Sequence, residues 1–404
     1  MDIALTRTVS LLGVAIIVAI IARRMRLPYT VGLVITGIGL AVARLDTGAM
    51  LTHDFIFDVI LPPLLFEAAL SIHWRELRDD LVVVLTLSTL GVVISALIVG
   101  AGMMHFLGWP AAPALVFSVL IAATDPIAVI AMFKDTGIKG RLRLLVESES
   151  LFNDGVAAVL FALAFTWAQA GDGGAIMAAA VTRELALMAG GGIFVGIAAG
   201  GAAIVLAGRT SDHLVETALT AVAAYGSFLL AEYFHFSGVL ATVAAGLLMG
   251  NLGVLREPKQ NILSPDGRAS VIAAWEFAAF IANSLVFLLI GLRVASIPFN
   301  VLGATALSVA IGLVLAGRVF TVYPLCLLFR RSVWAIPMRE QHILWWGGLR
   351  GALALALALA LPPSFALHDE ILIAAFGVVV FSVVAQGLTM PLLLRKLGFL
   401  PVKV

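Results

Sequence analysis

The sequence predicts an all-α polytopic membrane protein of about thirteen transmembrane helices, arranged as two inverted six-helix repeats with broken crossing helices. Composition is the first ground. Apolar residues make up 62% of the 404 residues and charged residues 12%, about half the charged share of a soluble domain. Apolar stretches of spanning length then follow one another with only short connections between them. Finally, lysine and arginine collect in alternate connections, as they do on the inner side of a membrane.

The first stretch, about 4–22, is followed by Arg23, Arg24 and Arg26, with no basic region before it and no small-residue cleavage site. It reads as a retained span rather than a leader. The others cover about 28–44, 54–72, 81–107, 111–133, 143–169, 181–208, 213–233, 236–254, 268–292, 298–329, 340–361 and 369–394. With the N-terminus outside, the inner connections hold Arg23, Arg24 and Arg26; Arg75 and Arg78; Lys134, Lys139, Arg141 and Arg143; Arg209; Arg256, Lys259 and Arg268; Arg330, Arg331 and Arg339; and Arg395, Lys396 and Lys403. The outer ones hold only Arg7, Arg44, Arg183 and Arg293, while Arg318 and Arg350 fall within spans. This bias places the N-terminus outside and the C-terminus inside. No long loop or low-complexity run interrupts the spans, so no soluble domain is expected. Gly192, Gly196 and Gly200 repeat at four-residue spacing in the seventh span, which suits close packing within the chain or a contact between two copies.

Carboxylates in the fifth and sixth spans stand where a bilayer protein tolerates them least. An ionised residue at mid-membrane costs roughly 2.5 to 3.5 kcal/mol on insertion scales, so each needs a partner, a proton or a function. In Thr124-Asp125-Pro126, Pro126 cannot serve the carbonyl of Ala122 and biases Asp125 away from helical dihedrals. The fifth span should therefore break there, offering free carbonyls beside a carboxylate. Gly347, Gly348 and Gly351 bracket Arg350 in the twelfth span, the other candidate for a broken helix. These two spans would run oppositely as equivalent members of inverted repeats, with a site at the midplane where half-helix ends meet. Asp125 would then offset the positive end of a half-helix and Arg350 a negative one.

In the sixth span Ser150 and Asp154 stand four apart on one helical face, and Glu149 and Asn153 make the adjacent pair. A hydroxyl, a carboxylate and freed carbonyls are oxygen donors suited to hard cations. Burial favours the protonated carboxyl and an adjacent cation favours the carboxylate, so proton and metal ion would compete for Asp154. Glu149 needs a partner if it stays charged, and Arg318 in the eleventh span lies at similar depth. Glu67, after Leu61-Pro62-Pro63 in the third span, suits either a ligand or the wall of a solvated cavity.

Other classes find little support. A net charge of +1 points to no nucleic-acid partner. The single Cys326 excludes an internal disulfide and a thiolate cluster, and the scattered histidines lack zinc-site spacing. No phosphate loop supports ATP-driven pumping. An intramembrane aspartyl protease would need a Gly-x-Gly-Asp motif, whereas Asp154 follows Leu151-Phe152-Asn153. A channel would show a repeated filter segment. A proton- or sodium-coupled organic solute carrier on a similar scaffold is the alternative; it would want a roomier, less acidic crossing.

Five segments in register, Leu61-Pro62-Pro63-Leu64-Leu65-Phe66-Glu67, Thr124-Asp125-Pro126-Ile127-Ala128-Val129, Glu149-Ser150-Leu151-Phe152-Asn153-Asp154, Gly347-Gly348-Leu349-Arg350-Gly351-Ala352 and Gln386-Gly387-Leu388-Thr389, resemble the monovalent cation:proton antiporters of the NhaP and sodium/proton exchanger branch. The resemblance implies a homodimeric secondary antiporter of the cell membrane, not an enzyme, without a cofactor beyond the transported Na+ (or Li+ or K+) and H+. It implies a dimerisation domain from 1–80 and 213–292, a linking helix at 181–208, and a transport core from 81–169 and 298–394. Carried over by position, Asp154 is the chief cation and proton carboxylate, with Ser150, the Thr124 carbonyl and Glu67 as Na+ ligands. Asp125 and Asn153 order the site, Glu149 with Arg318 resembles the family's structural ion pair, and Arg350 its basic residue at the helix crossing. Electrogenic relatives carry a second aspartate where this chain has Asn153, so the resemblance implies one-for-one, electroneutral exchange. The long cytoplasmic tail of animal and plant members is not seen, and regulation through such a tail is not expected.

Overall fold

In a computed structural model the described residues are 3–25, 28–43, 51–169, 178–255, 262–295 and 297–400. Arg26, Arg44, Arg256, Lys259 and Lys403, assigned above to connections, lie outside them. The described residues form helices and connections with no strand. Among the described residues, seven helical segments are long and apolar enough to cross a membrane, the last of them running from His368 to Lys396 through a π-helical turn, and further apolar helices are shorter.

The chain opens with α1 (Ile3–Met25) and α2 (Tyr29–Val42). A π-helical turn, Phe55–Ile60, leads into α3 (Leu61–Ser71). Pro63 has no N–H for the carbonyl of Val59, and the hydroxyl of Tyr225 donates to that carbonyl at 3.0 Å. Next, α4 (Trp74–Leu107) is longer than the sequence suggested, because Arg75 and Arg78 are helical rather than in a connection. Two things favour the extension: Asn251 Oδ1 accepts from the Trp74 N–H at 2.7 Å, and Glu76 adds an acidic side chain to the first turn.

The fifth span is α5 (Ala111–Leu120) and α6 (Ile127–Thr136), followed by α7 (Arg141–Gln169), α8 (Ala178–Ala207), α9 (His213–Tyr233) and α10 (Gly238–Met249), the last running into a π-helical turn, Gly250–Val254. The remaining elements are α11 (Pro265–Val294), α12 (Phe299–Leu302), α13 (Ala304–Leu328), α14 (Met338–Trp346), α15 (Ala352–Leu359), α16 (His368–Phe381), a π-helical turn at Ser382–Gln386 and α17 (Gly387–Lys396). Thus the fifth and twelfth spans are broken where proline and glycine predicted it.

The chain divides into two compact units, one of residues 1–56, 83–153 and 283–404, the other of 57–82 and 154–282. In the second, Phe66, Leu70, Met249, Val271 and Trp275 form a buried core. Phe66 lies on Trp275 with ring centroids 4.5 Å apart, and the indole N–H of Trp275 is satisfied by Thr220 Oγ1 at 2.8 Å. The four-spaced glycines of α8 serve packing within the chain: a methyl group at Gly192, Gly196 or Gly200 would press on Ser237, Ala241 or Ala245 of α10 and its cap. In the first unit α2 and α11 cross just as closely, since a side chain at Gly37 would stand 2.9 Å from the Cα of Gly291.

Candidate functional site

The break in the fifth span leaves the C-terminal carbonyls of α5 and the first N–H groups of α6 without helical partners. Pro126 removes the donor that would serve Ala122. In its place Arg350 Nη1 donates to the carbonyls of Ala122 at 2.6 Å and Ala123 at 2.9 Å. Arg350 is 1% exposed, so its charge is balanced by the negative end of α5 rather than by water. At the opposite ends, the Asp125 carboxylate accepts from the N–H of Ile127 at 3.0 Å and from the backbone of Ala352. It thereby meets the positive ends of both α6 and α15.

The unwound segments also pair directly, through Asp125 N–H to the Leu349 carbonyl at 2.7 Å. Glycine is required here by space. A side chain at Gly351 would overlap the Asp125 carboxylate, and one at Gly348 would stand 2.6 Å from Arg318 Nε. The crossing is held on another side by the thirteenth span: Ser382 Oγ accepts from Arg350 N–H at 2.9 Å, and Gln386 Nε2 donates to the Trp346 carbonyl at 3.0 Å. Sequence reasoning assigned no role to either; their four-residue spacing was the available signal.

Helix α7 brings the second set of groups. Ser150 Oγ donates to the Thr124 carbonyl. Thr124, Ser150 and Asn153 are all buried, while Thr124 Oγ1 and Asn153 Oδ1 have no hydrogen-bond partner among the described residues. Buried polar oxygens are normally satisfied, so the unmatched hydroxyl of Thr124, on the residue whose carbonyl is freed, suits an oxygen-coordinated cation. One residue back, Glu149 accepts from Arg318 Nη1 at 2.8 Å, and Arg318 Nη2 donates to the Leu344 carbonyl at 2.7 Å. That second bond ties the ion pair to half-helix α14.

Asp154 is half-buried and continues α7 one turn beyond Ser150. The boundary between the compact units falls immediately before it. Glu67 stands half-buried on α3 in the second unit. The structure therefore joins Thr124 to Ser150, Asp125 to the starts of α6 and α15, Arg350 to the end of α5, and Glu149 to Arg318 by direct contact.

Residues 11–396 match the family described as sodium/hydrogen exchanger, transmembrane. The chain is 39% identical to the Na(+)/H(+) antiporter ApNhaP of Aphanothece halophytica over 96% of its own length and 73% of that protein. It is 34% identical to the Na(+)/H(+) antiporter NhaH of Halobacillus dabanensis, covering 96% and 97% of the two chains. The fold is similar to that of the sodium proton antiporter MjNhaP1 from Methanocaldococcus jannaschii, with a TM-score of 0.76 at 20% identity over 98% and 99% of the chains. With nearly its whole length matched, and with the two broken helices meeting at Asp125 and Leu349, this chain belongs to the sodium/hydrogen exchanger family.

Proposed function

We propose that this chain exchanges one Na+ for one H+ across the membrane by alternating access, with the two ions competing for Asp154. The observation that carries the reading is the arrangement at Thr124. Its carbonyl is released from helical pairing by the break and accepts from the Ser150 hydroxyl, and Asp154 follows Ser150 by one turn on the same helix. An ionised Asp154, the Ser150 hydroxyl, the Thr124 carbonyl and Glu67 supply the oxygen ligands for Na+. Asp125 and Asn153 keep the ligands ordered, and Arg350 offsets the end of α5 so that no further cation is needed there.

Binding of Na+ compensates the Asp154 carboxylate, and a proton does the same by neutralising it. Either loaded form can cross the barrier without an uncompensated buried charge, whereas the empty carboxylate cannot, and this couples the two fluxes. Asn153 contributes no second negative charge, so the balance closes at one ion for one ion. Glu149 and Arg318 neutralise each other and stay outside the cycle.

The working protein is a homodimer in the cell membrane with the N-terminus outside and the C-terminus in the cytoplasm. Residues 81–169 and 298–394 supply the transport core, 1–80 and 213–292 the dimerisation domain, and 181–208 the linking helix. The orientation is supported by the lysine and arginine bias. Purified protein in proteoliposomes tests the exchange: an imposed pH gradient should drive uptake of labelled Na+. No cation-dependent dissipation of the gradient with Na+, Li+ or K+ would overturn the reading.

A further inference from the structure

In a continuous helix the N–H of Arg350 would donate to the carbonyl of Trp346, four residues earlier. Here that bond is absent, and each of its halves is taken by the thirteenth span. Ser382 Oγ accepts from the Arg350 N–H at 2.9 Å, while Gln386 Nε2 donates to the Trp346 carbonyl at 3.0 Å. One turn on, Thr389 Oγ1 accepts from the Trp346 indole N–H at 2.9 Å. Ser382 and Gln386 are 1% and 3% exposed, so both side chains are held within the packed interior. They lie at the two ends of the π-helical turn Ser382–Gln386, a local widening that is common at functional positions.

The segment so held is mechanically connected to the site. Leu349 accepts from Asp125 N–H at 2.7 Å, and Arg350 grips Ala122 and Ala123, which immediately precede Thr124. If 346–350 were free to wind into helix, Arg350 would be drawn from α5 and the Thr124 carbonyl would lose its setting. We infer that Ser382 and Gln386 are positioning residues for cation binding, which hold the crossing open by occupying both halves of the missing Trp346–Arg350 hydrogen bond. They touch neither ion. Their effect reaches Thr124 through Arg350 and Asp125, and the inference rests on the exchange reading above.

The test compares wild type, Ser382→Ala, Ser382→Thr and Gln386→Leu as purified full-length protein. Two readouts are taken: the Na+ dependence of exchange in proteoliposomes, and the Na+ concentration that half-saturates thermal stabilisation in detergent. A lost buried hydrogen bond should raise the half-saturating Na+ about tenfold in Ser382→Ala and in Gln386→Leu. The apparent KM should rise by more than the maximal rate falls. Ser382→Thr keeps the hydroxyl and should return the KM toward wild type. Folded variants with a wild-type Na+ dependence and a rate lowered only in proportion to folded protein would overturn the inference while leaving the exchange reading intact. So would a Ser382→Ala defect that Ser382→Thr fails to relieve. Wild-type protein that neither binds nor exchanges Na+ would overturn both.

Discussion

Glu149 and Arg318 meet between α7 and α13 at 2.8 Å, with each side chain only 5% exposed. Such a pair is weak evidence of net stabilisation, yet removing one member strands the other charge at a cost of about 3 to 5 kcal/mol. Glu149→Ala and Arg318→Ala should each lower the thermal unfolding temperature in detergent, and a double replacement by apolar residues of similar volume should recover much of the loss. Strict additivity of the two single effects would show that the pair is not coupled. Arg318 should be the more damaging single change, because its Nη2 also serves the Leu344 carbonyl of α14.

For Asp154→Asn the expected outcome is loss of exchange without loss of the folded protein. The amide can neither accept the transported proton nor balance a cation, while its size is nearly that of the carboxyl. Size-exclusion behaviour should match wild type as cation-driven proton flux falls to background. Full exchange by the purified variant would remove Asp154 from the centre of the mechanism.

Gly351→Ala tests the closeness of the crossing. The added methyl would overlap the Asp125 carboxylate, and overpacking of this kind costs about 1 to 3 kcal/mol. The expected result is a destabilised protein with exchange largely lost, since Asp125 must leave the start of α6 or α15. Gly312→Ala in α13 is the control, because among the described residues no atom beyond its own stretch of helix lies within 4 Å of the added Cβ. Equal behaviour of the two variants in a thermal unfolding and flux comparison would mean that the packing at Gly351 is not limiting.

Helical breaks at Pro126 and around Gly347 were legible because proline deletes a donor and clustered glycines weaken a helix, effects that act within a few residues. The charges that meet those breaks were legible for a similar reason: a lone Asp or Arg in an apolar span has few physically acceptable partners. Ser382 was not, since a serine in an apolar helix is commonly satisfied by its own backbone, and it also donates to Val379 O at 2.9 Å. Its further bond to Arg350 depends on a packing partner 32 residues away in sequence. The glycines of α8 were open between two uses for the same reason, and only the position of α10 shows which one they serve. The extension of α4 to Trp74 likewise depends on Asn251, a distant residue that no local pattern connects to it.

Stoichiometry provides the remaining prediction. With an asparagine at 153 and Glu149 held by Arg318, only Asp154 need change its charge state during turnover if Asp125 and Glu67 keep theirs. Each transit then carries either one monovalent cation or one proton, and the cycle moves no net charge. The rate should fall at low pH, where protons occupy the shared carboxyl, and again at high pH, where too few protons are available for the return. An imposed voltage should leave the exchange at equilibrium undisturbed, because one elementary charge would otherwise couple to it by about 2.3 kcal/mol per 100 mV. The measurement clamps voltage in proteoliposomes with potassium and valinomycin and uses Na+ as the transported ion. If the Na+ and proton gradients that give zero net flux are displaced by the voltage, a second titrating group joins the cycle. Asp125 and Glu67 are then the residues to replace, and the one whose neutral amide restores voltage independence carries the additional proton.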